Sequence, residues 1–62
     1  MTRLERMEQI CSDFEKRAQE EEAEAKRGGA TKRQMEDMVA SHALTWAHML
    51  MEIDDERKRL QC

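Results

Sequence analysis

The sequence predicts an all-α protein: a two-helix antiparallel hairpin, with one helix over about 3–27, a Gly-Gly turn, and a second helix over about 32–60. Three observations lead there. Apolar residues recur at spacings of three and four on both sides of a single break, as they do on one face of a helix. The break is Gly28-Gly29, and these are the only glycines in the chain. Charged residues make up 40% of the composition and aromatics 3%, with no proline and no tyrosine, a mix that disfavours sheets. At 62 residues the chain is one domain spanning 1–62. A chain of this size buries only about 60% of the surface its unfolded form exposes. It therefore needs close helix packing, oligomerisation or a partner.

The first helix carries Leu4, Met7, Ile10, Cys11 and Phe14 on one face, in a background of good helix formers. Ala18 and Ala25 continue the line, but Glu21 interrupts it and Glu20-Glu21-Glu22 is strongly solvated. The first half of this helix is thus expected to be gripped and the second half loosely held. Glycine then ends it, because glycine accepts the left-handed backbone of a C-cap. The second helix starts at Thr31-Lys32-Arg33-Gln34, which fits a capping box with threonine at the N-cap and glutamine three residues on. At 1.5 Å per residue it runs roughly 43 Å. In an antiparallel hairpin with this turn, facing positions have numbers that sum to about 58. Phe14 is then expected opposite Leu44 and its neighbours, and Met7 near Met51.

The two helices are unequal. On a helical wheel the second helix has an apolar arc of about 240°, against about 120° for the first. One helix cannot cover the other, and soluble monomers avoid leaving such a strip in water. The expected hairpin core is Leu4, Met7, Cys11 and Phe14 against Val39, Trp46, Met49 and Ile53. The expected partner-binding flank is Ala40, Leu44, Ala47 and Met51, where small residues leave a shallow groove between two anchors. Trp46 fits either role, as the largest core residue or as a binding anchor. The six methionines likewise fit a core filler or an adaptable surface. The isolated chain is expected to form a homodimer.

Several classes of chemistry find no support. The net charge is −3, from 11 basic and 14 acidic residues, without the basic excess of a nucleic-acid binder. Arg57-Lys58-Arg59 reads as complementation of a helix C-terminus. The N-terminus lacks the apolar run of a signal peptide. The most apolar stretch, Met38 to Ile53, contains two histidines, a serine, a threonine and a glutamate, and is too short for a membrane span. A cytoplasmic location is expected. Cys11 reads as a small core hydrophobe and Cys62 as a frayed terminal residue without function. His42 and His48 lie six apart, off a common face, and lack the further ligands a zinc site needs. No cofactor, no metal and no catalytic constellation is expected, so the chain does not read as an enzyme.

Some residues also resemble a known family. Met1-Thr2-x-Leu4-Glu5, the turn Arg27-Gly28-Gly29 with Lys32 after it, and Ser41-x-Ala43-Leu44-x-x-Ala47 followed by Met49-Leu50-Met51 are similar to the small co-chaperones of type III secretion needle subunits. The resemblance covers most of the chain, with a first helix about two turns shorter. It implies a non-enzymatic protein-binding hairpin in the bacterial cytoplasm. Its partners would be a larger helical-repeat chaperone and the needle subunit, which the pair keeps from polymerising early. The alternatives are a self-associating helical-bundle protein and a small phage-type inhibitor of a host regulator.

Overall fold

Each helix begins at a threonine that closes a reciprocal capping box, satisfying backbone donors that the first helical turn leaves without partners. The computed structural model describes residues 1–61. In it, α1 spans Arg3–Arg27 and α2 spans Lys32–Gln61, joined by a short turn and packed against each other as an antiparallel hairpin. At the start of α2, the Gln34 N–H donates to Thr31 Oγ1 (3.1 Å) and the Thr31 N–H donates to Gln34 Oε1 (2.9 Å). At the start of α1, the Glu5 N–H donates to Thr2 Oγ1 (3.1 Å) and the Thr2 N–H donates to Glu5 Oε1 (3.3 Å). The box at Thr2, not assigned from the sequence, has the same Thr-x-x-Glu/Gln spacing as the one at Thr31. Cys62 lies outside the described residues.

The two glycines of the turn do different work. Gly28 is the C-cap, with φ −77°, which any residue can adopt. Gly29 has φ +86°, in the left-handed region. There its N–H donates to the Lys26 carbonyl (3.2 Å), and the Ala30 N–H donates to the Ala25 carbonyl (3.0 Å). These two bonds form a Schellman closure, which satisfies carbonyls at the helix end and turns the chain back.

Because only one helix faces α2, the hairpin core is thin. Cys11, Ala18 and Ile53 are the buried apolar residues among those described. Leu4, Met7, Phe14, Met35, Met38, His42 and Met49 are half-buried around them. The stripe of α2 turned toward α1 is centred on His42, Met49, Ile53 and Glu56. This rotation differs from the expected facing pairs. The Phe14 ring meets His42 edge-on, with centroids 5.9 Å apart, instead of Leu44, which is 64% exposed. Met7 lies beside Met49 and Ile53, and Met51 points outward at 65% exposure. Val39 and Trp46, expected in the core, are 47% and 38% exposed. They sit about 40–60° round the wheel from His42, at the edge of the contact, where a single neighbouring helix covers them only in part.

The hairpin is a single layer. Its Cα atoms occupy 49 × 20 × 8 Å with a radius of gyration of 14.6 Å. A compact chain of this length has a radius of gyration of about 11 Å. Stable domains bury their apolar stripes between two or more layers, and this chain supplies only one.

The open end is held by charge. Glu56 is 5% exposed, and its Oε2 pairs with Arg3 Nε at 2.9 Å across the helices. Arg59, one turn further along α2, donates to Oε1 of the same carboxylate. Arg57 Nη2 reaches Glu8 Oε2 at 2.7 Å. The hydrogen bond from Arg59 holds the Glu56 carboxyl below the usual carboxylate range; burial opposes it, and the positive charges of Arg59 and Arg3 add to it.

Two measurements check these assignments. Gly29→Ala should cost about 1–2 kcal/mol, because a Cβ is strained at that φ even with open space around it. Gly28→Ala should be neutral or slightly stabilising, since its Cβ would meet only carbonyl oxygens at ordinary contact distance. Urea unfolding followed by circular dichroism separates the two; equal costs would remove the distinct role given to Gly29. The second measurement concerns pH. Folding lowers the Glu56 pKa, so the unfolded chain takes up the proton first. The stabilisation is complete above the ordinary carboxylate value of about 4.3 and is lost as pH falls through the lower folded value. The stability gap between wild type and Glu56→Gln should therefore shrink on acidification below that value. A gap independent of pH would mean that the ionised carboxylate is not what holds the open end.

Candidate protein-interaction face

The segment from Met38 to Met51 contains no Asp, Glu, Lys or Arg, in a chain of which 40% is charged. A helix lays such a segment out as two sides. Ser41, Thr45 and His48 are exposed on one side, where the Thr45 hydroxyl donates to the Ser41 carbonyl (3.2 Å). The other side, turned away from α1, carries Ala40, Leu44, Ala47 and Met51, all exposed. The four residues expected to bind a partner therefore share one flank of α2. Leu50, at 41% exposure, lies between them and the groove edge.

Val39 and Trp46 extend the same surface toward α1. Together with Phe14, Ala18, His42 and Ala43 they line a groove of about 210 Å³ between the helices. A second stretch continues it past Cys11, Trp46, Leu50 and Ile53. Trp46 lines both stretches, so its ring forms part of the wall along much of the groove. The rim on the α1 side is acidic, with Glu8, Glu15 and Glu22 at spacings of seven along one line of the helix. Flank and groove form one apolar surface that wraps nearly half of α2. Of the residues expected in the core, Cys11 and Ile53 form the groove floor, Leu4, Met7, Phe14 and Met49 are half-buried, and Val39 and Trp46 belong to this surface.

His42 anchors the other end of the groove. Its Nε2 lies 3.2 Å from Glu21 Oε2 and its Nδ1 lies 3.6 Å from Glu22 Oε1. The Nδ1 atom is buried without a hydrogen-bond partner, since 3.6 Å is too long for one. The glutamates of the polar half of α1 thus reach back to α2, through a contact that a wheel of either helix alone does not show. Glu56 is the other residue that sequence reasoning passed over. Its position on the inward stripe, seven residues after Met49 and three after Ile53, was the available signal.

Among the described residues, no group of three or more His, Cys, Asp or Glu is placed to hold a metal ion. His48 is exposed on the polar side. No helix among the described residues is long and apolar enough to cross a membrane. What this surface offers chemically is apolar contact area with a polar rim, the composition of a helix-binding groove. Compared with known proteins, the chain matches no protein-family model, no curated protein and no solved structure.

Proposed function

We propose that this hairpin is a non-enzymatic protein-binding module that works through the outward flank of α2. One observation carries the reading: Leu44 and Met51, two turns apart on a helix face without charge, stand about two-thirds exposed. Large apolar residues placed singly on a surface are ordinary, but a contiguous strip of them marks a contact site. Ala40 and Ala47 between the two anchors let another helix approach closely, and the anchors supply the apolar area. In the more specific form that the resemblance suggests, the module is a cytoplasmic co-chaperone of a type III secretion needle subunit, acting beside a helical-repeat chaperone. The exposed flank supports this form because a hairpin of one layer needs a second helical surface to complete it.

Leu44→Glu tests the reading. The free hairpin leaves Leu44 in water, so the variant should keep its helix content by circular dichroism. Binding should weaken by at least about a hundredfold, because the added carboxylate loses its hydration only in the complex. Binding is read by co-purification with a co-expressed helical-repeat chaperone and needle subunit of a type III secretion system, and by sizing of the protein alone. A variant that retains its partner overturns the assignment of the flank. A variant that loses its helix content places Leu44 in the hairpin core instead.

A further inference from the structure

The α2 flank carries a charge pattern that a second copy of the same chain completes. We infer that α2 of one protomer packs antiparallel on α2 of another, with the two-fold axis beside Ala47, so that two single-layer hairpins close into a two-layer four-helix bundle. This rests on the flank being a docking surface, and it names the occupant and its register.

Surface area favours a second copy. The hairpin exposes 5300 Å². A compact monomer of 7.4 kDa exposes about 4,200 Å². The excess of about 1,100 Å² is comparable to the roughly 800 Å² that each partner buries in a stable interface.

Charge selects the orientation. Along α2 the order is Lys32-Arg33, Glu36-Asp37, the uncharged segment 38–51, then Glu52 with Asp54-Asp55, then Arg57-Lys58-Arg59. Two copies side by side in parallel set every block against its own sign. An antiparallel pair centred between Leu44 and Trp46 does the same, placing Glu36 against Asp54 and Arg33 against Arg57. Sliding the helices by about one turn, so that Ala47 faces Ala47 of the other copy, reverses this. Glu36 then faces Lys58, at both ends of the pair. Charge pairs flanking an apolar seam set helix orientation in this way.

The same slide serves the apolar residues. Ala43 comes level with Met51 beside the axis, so a small residue receives a large one. Ala47 on the axis permits the close end of the usual 8–10 Å interaxial range. Sliding the opposite way would pair Arg33 with Asp54 but set the large Met51 against Glu36, where the Ala47 register sets only the smaller Ala40 against a carboxylate, Asp54. Lys58 keeps the partner it has within the chain, Asp54 at 3.0 Å, and gains a second carboxylate.

Sedimentation and cross-linking of the full chain test this. The wild type should sediment as a dimer at tens of micromolar. In a Cys62→Ser background, Ala47→Cys should give a disulfide-linked dimer under mild oxidation, and Ser41→Cys, on the polar side, should not. Glu36→Lys and Lys58→Glu should each weaken dimerisation by about tenfold, and the double variant should recover most of the loss. A monomer at these concentrations overturns self-association while leaving the Leu44→Glu experiment to judge the docking surface for another protein. A dimer that Ala47→Cys does not cross-link, or that the double variant does not restore, overturns the register.

Discussion

Two helices lying side by side shield from water only the faces they turn toward each other, and that limit governs this molecule. α1 is polar around most of its circumference, so the exchange it makes with α2 satisfies α1. It leaves most of the apolar arc of α2 uncovered. The buried centre comprises Cys11, Ala18 and Ile53, and two of these are small. Burial at this scale is a modest driving force for a hairpin 49 Å long. What the core lacks is supplied at the termini of the helices, where caps and ion pairs are concentrated.

The hairpin is fastened at both ends by different means. At the closed end, the Schellman closure at Gly29 and the capping box at Thr31 leave the chain little freedom between the helices. At the open end, Arg3 and Glu8 of α1 reach Glu56 and Arg57 of α2. Exposed ion pairs contribute little singly. The carboxylate of Glu56 is a different case, since without Arg59 and Arg3 it would be a nearly covered charge beside Glu52 and Asp55 with nothing opposite to balance it. These contacts also set the rotation of α2. With Glu56 and His42 drawn toward α1, the residues on the far side of the wheel have to point outward, and these include Leu44 and Met51.

The outward flank and the charged ends therefore belong to one design. The fourteen residues 38–51 carry no formal charge from Asp, Glu, Lys or Arg, and charge of both signs begins directly beyond them. An apolar strip bounded in this way restricts how a partner helix can be placed, because a shift by one turn brings like charges together. On α1, Glu15 and Glu22 add a further limit, favouring a partner that brings basic or neutral residues to that part of the rim. Specificity on such a surface comes from the charges, and affinity from the strip they enclose.

Helix existence, helix ends and the turn were all legible in the residues. Each is decided locally, by spacing, by threonine with Glu or Gln three positions on, and by glycine where φ must be positive. The width mismatch between the helices was legible too, since it depends only on the order of residues around each wheel. The rotation of α2 was not. Several neighbouring stripes of its broad apolar arc would have served equally well by hydrophobicity, and a wheel has no term that chooses between them. The choice was made by contacts between residues distant in the chain: Phe14 on His42, Glu21 and Glu22 on the same imidazole, and Arg3 on Glu56. Those contacts left Val39 and Trp46 on the groove wall and turned a carboxylate inward at the open end, because polar groups with fixed partners discriminate between orientations that apolar area alone leaves nearly equal in energy.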